Sequence, residues 1–209
     1  IAFRLSEPDD KARAIGAANT LWLDGGVLRA TNTDGDGFVG SLDATAQGWD
    51  THTDNAVVLG AGGASRSIVY ALLGRGVNVV HVVNRTLAKA EAMRDSYGDG
   101  VKPAQWSELP GLMKSAGLLV NTTSLGMHGQ PDLDIDITPL PGSAIVSDIV
   151  YVPLKTPLLA AAEARGLITS NGLQMLLHQA VRGFELWFGV RPEVTQEQFE
   201  MMAADISAI

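Results

Sequence analysis

The stretch "VVLGAGGASRS", Val57 to Ser67, constrains the fold more than any other. Apolar residues run into glycines and then into helical spacing, which spells a strand, a tight turn and a helix start. A short strand that is apolar at every position is one covered on both faces, as in a parallel sheet. The alternation continues downstream. "VNVVHVVNR", "GLLVNTT", "SAIVSDIVY" and "LITSNG" read as strands. "GASRSIVYALLGRG", "TLAKAEAMRDSYG" and "TPLLAAAEARG" read as helices, the last with Thr156 as N-cap and Pro157 at the first helical position. "WSELPGLMKSA" is a short helical piece, and "GLQMLLHQAVRGFELWFG" and "TQEQFEMMAADISAI" close the chain as two helices. Strands alternating with helices predict an α/β fold with a doubly wound, mostly parallel sheet and right-handed crossovers.

Residues before Asp34 do not follow that alternation. Ile1 to Arg13 shows roughly helical spacing, and "NTLWL" and "VLRATNT" are extended runs around "DGG". A helix follows in "TDGDGFVGSLDATAQG", with Phe38, Val39, Leu42 and Ala46 on one face. We therefore expect residues 1–33 to be the end of a smaller α/β domain, 34–188 the main domain, and 189–209 a helix packing back toward the first. The opening "IAFRLSEPDDKARA" reads as the middle of a longer protein.

Gly60 and Gly62 match the first two positions of a G-x-G-x-x-G turn, and Ser65 stands at the third. A turn made of Gly60, Ala61, Gly62, Gly63 and Ala64 lets a pyrophosphate approach the backbone at a helix N-terminus. An NAD site carries an acid near the end of the next strand. Here, 24 residues after Gly60, stand Asn84, Arg85 and Thr86, with Lys89 a turn later. An Arg attracts and forks onto a 2′-phosphate that a carboxylate would repel, so NADP is expected over NAD. Arg66, in the first turn of the glycine helix, is placed to add charge. Taken alone, Arg85 and Lys89 would be solvated surface cations. Thr122, Thr123 and Ser124 fall at the carboxyl end of a strand, the edge where ligands bind in such sheets.

Other chemistry is poorly supported. His52, His81, His128 and His178 lack metal-ligand spacing, and the acidic run Asp132 to Asp136 reads as a solvated loop, so no metal is expected. Ser65 and Ser67 serve the helix start, since no nucleophile elbow surrounds them. A net charge of −8 disfavours nucleic acid and anionic membranes as partners. No apolar run approaches the ~20 residues of a membrane span. The absence of cysteine excludes disulfide and thiol chemistry and fits a cytoplasmic setting.

Seven motifs, in order, carry a family resemblance: "AIGAANTL", "NTDGDGF", "VLGAGGASRS", "NRTLAKA", "VNTTSLGM", "DIVYVPLKTPLL" and "GLQMLLHQAVRGFELWFG". Together they resemble the shikimate dehydrogenases over nearly the whole chain. The resemblance implies a Rossmann-type cofactor domain beside a substrate domain. It implies reversible, NADP-dependent reduction of 3-dehydroshikimate to shikimate, on the route to aromatic amino acids. Asn19, Asp34, Tyr151 and Gln179 match substrate positions, and Asp34 also matches the carboxylate of a catalytic Lys–Asp pair. Ile149 and Gly172 match the nicotinamide side of the cofactor, Thr123 is expected at the cofactor edge, and Met127 and Met175 are expected to pack near that pocket. Without the resemblance, Asn19 would be a turn residue, Asp34 a helix N-cap and Gln179 a helix residue flanking the buried face.

The departures matter as much. The family's Ser-containing pair and its "NVTxPxK"-like run with the catalytic lysine have no match in these 209 residues. The resemblance sets that lysine just before Ile1. Lys11, within a helical stretch, is no substitute. We therefore expect NADP binding with little or no turnover, and an apolar face near residues 1–31 and the last helix through which a homodimer could form. The alternatives are a quinate/shikimate dehydrogenase using NAD and a non-catalytic NADP-binding module.

Overall fold

The computed structural model describes residues 2–207. The chain begins with α1 (Ala2–Leu5), β1 (Glu7–Pro8), α2 (Asp10–Ile15), β2 (Thr20–Asp24) and β3 (Val27–Thr31). These form a three-stranded sheet in the order β1-β3-β2, with β1 parallel and β2 antiparallel to β3. The two-residue turn Gly25-Gly26 has φ of 55° and 84°. Paired positive φ values are what a tight hairpin demands and what glycine supplies without strain. The expected helical run before Arg13 is corrected here: β1 splits it, because Asp9 caps α2 by accepting from the Ala12 N–H at 2.8 Å.

The larger body holds α3 (Asp34–Thr45), β4 (Asn55–Leu59), α4 (Gly63–Gly74), β5 (Val79–Val83), α5 (Leu87–Tyr97), β6 (Val101–Ala104), α6 (Leu109–Met113), β7 (Leu118–Asn121), β8 (Ile145–Asp148), α7 (Pro157–Ala164), β9 (Ile168–Ser170), α8 (Gly172–Phe188) and α9 (Gln196–Ser207). Its six strands are all parallel, in the order β6-β5-β4-β7-β8-β9. Counted from β4, that is the doubly wound order 3-2-1-4-5-6, with its switch point between β4 and β7. The expected α/β, Rossmann-type architecture is present.

Alternate residues of β4 feed two cores. Ala56 and Val58 pack with Phe38, Leu42, Ile68 and Leu72 on one face, while Val57 and Leu59 pack with Met113, Leu158 and Leu159 on the other. Each such side chain larger than alanine, fully buried, contributes roughly 1.5–3 kcal/mol. Strand β6 escapes a sequence reading because Lys102 and Pro103 interrupt it. It lies at the sheet edge, where a missing N–H is tolerated.

Helix α8 lies against α3, and α9 packs on α8. A Cβ on Gly37 would stand 2.6 Å from the Gln179 Cβ and 2.7 Å from the Met175 carbonyl oxygen, so the helices meet backbone to backbone. At the far end of α8, the Trp187 indole N–H donates to the Leu21 carbonyl at 2.7 Å, tying the helix to the hairpin.

Candidate functional site

The turn after β4 is shaped for close approach. Gly60 has a φ of 104°, and its N–H donates to the Val83 carbonyl at 2.8 Å. A Cβ there would stand 2.8 Å from Thr122 Oγ1. Gly62 is the N-cap of α4 and offers no side-chain cap, and Cβ atoms on Gly62 or Gly63 would meet nothing within 4 Å. The start of α4, beside Ala61 and Ala64, is thus left uncovered by side chains, and its first-turn amides lack helical partners, which is the arrangement that favours an anion. Ser65, buried at the motif's third position, donates from Oγ to the Gly60 carbonyl at 2.7 Å and closes the turn.

Beyond β5, Asn84 donates from Nδ2 to the Thr86 carbonyl at 2.8 Å and shapes the bend. Arg85, Thr86 and Lys89 are exposed. Neither Arg85 nor Lys89 has an acidic partner within 4 Å among the described residues. Arg66 does not join them, contrary to expectation. Its Nε donates to the Ile15 carbonyl at 2.8 Å and its guanidinium sits 5.4 Å from the centre of the Tyr97 ring.

A cleft of about 330 Å³ opens at the carboxyl ends of β7 and β8, lined by residues 122–124 and 149–152 and by Met127. Thr123 and Ile149 line it; Gly172 abuts it, since a Cβ there would stand 2.2 Å from the Ile149 carbonyl oxygen. Tyr151 lines the same cleft and is exposed. Met127 belongs to the lining, and Met175 is buried in the core beneath.

Asn19 and Asp34 form a second constellation. Asn19 Nδ2 donates to Asp34 Oδ1 at 2.6 Å, and Asn19 Oδ1 accepts from the Thr33 N–H at 3.0 Å and the Thr20 hydroxyl at 3.0 Å. Thr33, not Asp34, holds the N-cap position of α3; Asp34 is the first helical residue. Burial pushes the Asp34 carboxyl above its ordinary value, against the pull of its bonds to Asn19 and Asn32. Gln179 sits over Gly37, one turn along α3 from Asp34, so α8 brings it to the same end of that helix. Lys11 is committed elsewhere, with Nζ 2.5 Å from Asp36 Oδ2. A buried group absent from the sequence reading is Asp148, at the end of β8, bonded to Asn121 and Thr156. It opens the run "DIVYVPLKTPLL", but its pairing with Asn121, 27 residues earlier on β7, is visible only in the fold.

Comparison with known proteins bears on this geometry. The model of the shikimate / quinate 5-dehydrogenase family matches residues 43–127, and that of the shikimate 5′-dehydrogenase C-terminal domain matches residues 172–196. The chain is 60% identical over 206 residues to a shikimate dehydrogenase (NADP(+)) of Rhodopseudomonas palustris strain TIE-1, covering 99% of this chain and 74% of that protein. The chain belongs to the shikimate dehydrogenase family. Among solved family structures, the fold is similar to the shikimate 5-dehydrogenase of Thermus thermophilus in complex with NADP(H) and shikimate, with a TM-score of 0.81 and 33% identity over 97% of this chain and 73% of that one. It is also similar to the quinate dehydrogenase of Corynebacterium glutamicum in complex with NAD, with a TM-score of 0.86 and 30% identity over 99% of this chain and 73% of that one. Shikimate dehydrogenases are oxidoreductases, and the glycine turn and cleft lie where a sheet of this order binds dinucleotides.

Proposed function

We propose that this chain is the cofactor-holding part of an NADP-dependent shikimate dehydrogenase. Residues 34–188 form the NADP domain in this reading, 1–33 belong to the substrate domain, and 189–209 return toward it. The observation that carries the cofactor choice is the pair of exposed cations beyond β5, Arg85 and Lys89, with no acidic partner among the described residues. Asn84 and Thr86 hold the bend that presents them. The amides that follow Gly60, from Ala61 to Ala64, suit the pyrophosphate, since the Gly60 N–H is taken by Val83, and the cleft beside Thr123, Ile149 and Gly172 suits the nicotinamide. When bound, the nicotinamide exchanges a hydride with the substrate's C3.

The chain's own residues orient that substrate. Asn19, whose Oδ1 already accepts from Thr20 and Thr33, keeps a second Nδ2 hydrogen for a ring hydroxyl, Asp34 has acceptors, and Tyr151 and Gln179 close on it from the loop after β8 and from α8. Asp34 would steady the ammonium of the general acid/base lysine. None of the 209 residues supplies that lysine, and Lys11 is held by Asp36. Turnover by this chain is therefore expected to be nearly absent. Exposed Leu23, Trp187 and Phe188 support a homodimer through that face, which light scattering across concentration tests.

The cofactor reading is tested by titrating NADPH and NADH into the chain and into Arg85→Ala. Loss of a charged, bidentate phosphate contact should weaken NADPH by about tenfold or more and leave NADH nearly unchanged. Equal losses would overturn it and favour the NAD-using quinate/shikimate reading. Steady-state assays with shikimate and NADP, against a longer form carrying the "NVTxPxK"-like run, test the turnover reading; equal rates would overturn it. If the longer form binds NADP but is inactive as well, the non-catalytic module is favoured.

A further inference from the structure

Asp148 is 1% exposed and stands directly opposite Asn121 in the register of β7 and β8. Its Oδ1 accepts from Asn121 Nδ2 at 3.0 Å and from the Val150 N–H at 3.1 Å, and its Oδ2 accepts from the Thr156 hydroxyl at 2.7 Å. Asn121 reaches into the other loop. Its Oδ1 accepts from the Thr123 N–H at 3.0 Å and the Thr123 hydroxyl at 2.7 Å, and its Nδ2 also donates to the Leu125 carbonyl at 3.1 Å. One buried carboxylate thus reaches both walls of the 330 Å³ cleft, since Thr123 and Val150 line it and Asp148 does not.

No cation lies within 4 Å of Asp148 among the described residues, and burial pushes its carboxyl above the ordinary value. A buried acid without a cation is a costly way to join two strands that already pair by backbone. It is an effective way to fix two irregular loops, because one oxygen gathers donors from both strand ends.

We propose that Asp148 is a positioning residue that clasps the two cleft walls together and sets their separation for the nicotinamide end of the dinucleotide. This rests on the dinucleotide reading above. Among the described residues, the hydrogen bonds of Asp148 reach neither the glycine turn nor the Arg85 bend. Its loss should therefore be felt at one end of the ligand only, which distinguishes positioning from general support of the fold.

The test is calorimetric titration of the chain with NADPH and with 2′-phospho-ADP-ribose, which lacks the nicotinamide. Asp148→Ala should weaken NADPH about tenfold and leave 2′-phospho-ADP-ribose within about twofold. Asp148→Asn keeps an oxygen for Asn121 and Val150 and should recover most of the loss. Equal effects on both ligands, or none on either, would overturn the inference. Wild-type chain that binds neither ligand would overturn the dinucleotide reading itself and this inference with it. Should Asp148→Ala fail to fold, amide exchange on the wild type decides. NADPH should protect Thr123, Leu125 and Val150 and 2′-phospho-ADP-ribose should not; the same protection by both would count against the clasp.

Discussion

Asn19 Nδ2 stands 2.6 Å from Asp34 Oδ1, joining the loop before β2 to the first turn of α3. The same Asn19 gathers three donors through Oδ1, from the Thr33 N–H, the Thr33 hydroxyl and the Thr20 hydroxyl. Asn19→Ala leaves the buried threonine donors without their acceptor, and should cost about 1–3 kcal/mol of stability in urea unfolding. It also removes a bond that holds the Asp34 carboxyl down, so that carboxyl should titrate higher still, as read by carbon NMR.

Gly37 allows α3 and α8 to touch. A methyl group there meets the Gln179 nitrogen and the Met175 carbonyl oxygen, both at 2.7 Å, and backbone atoms cannot rotate away. Gly37→Ala should destabilise by about 1–3 kcal/mol or more. Gly111→Ala is the contrast. It lies at an exposed position of α6 with nothing within 4 Å of the added methyl, and should be neutral or stabilise by up to ~1 kcal/mol. Thermal unfolding of both variants measures the difference.

Ser65 replaces the third glycine of the turn with a bond. Its hydroxyl, fully buried, reaches the Gly60 carbonyl at 2.7 Å. Ser65→Ala should cost about 0.5–1.5 kcal/mol, measured by denaturant midpoint.

Arg75 grips two carboxylates. Its NH2 lies 2.7 Å from Asp43 Oδ1 and 2.7 Å from Asp50 Oδ2. Its hydrogen bonds hold the Asp43 carboxyl below its ordinary value. A carboxyl lowered in the folded state stabilises above its unfolded value and loses that contribution as pH falls through its folded value. Asp43 is partly exposed, so solvent screening limits the effect to about 1 kcal/mol. Urea unfolding should show Asp43→Asn less stable than the parent at pH 7, with the gap closing as pH falls below ~4. A gap that stays the same from neutral pH down to pH ~2 would sink the pairing as its cause.

The legible and illegible parts of this chain divide on physical grounds. Strand β4 is legible because a strand covered on both faces must be apolar at every position. The edge strand β6 is not, because an edge tolerates Lys102 and Pro103. The glycine turn is readable as a local pattern, as are Asn84 to Thr86 after their strand. Arg66 defeats a sequence reading because a side chain in the first turn of α4 has two directions open to it, and only the packed α2 decides for Ile15. The bond between Asn19 and Asp34 spans 15 residues and rests on the hairpin returning beside α3, so residue types alone suggest a turn and a cap. Resemblance to a family singles those two out; periodicity does not. Asp148 escapes notice because the register that sets Asn121 opposite it, and the loop that returns Thr156 to it, exist only in the fold.

The indole of Trp187 is pinned by the hairpin carbonyl of Leu21, yet the residue is 56% exposed. Trp49, by contrast, is sealed in the core at 3%. With Trp22 and Trp106 replaced by Phe, the molecule therefore carries its own optical gauge: any tilt of the hairpin away from α8 hands the Trp187 N–H to water and reddens its emission, while Trp49 stays blue as the internal standard.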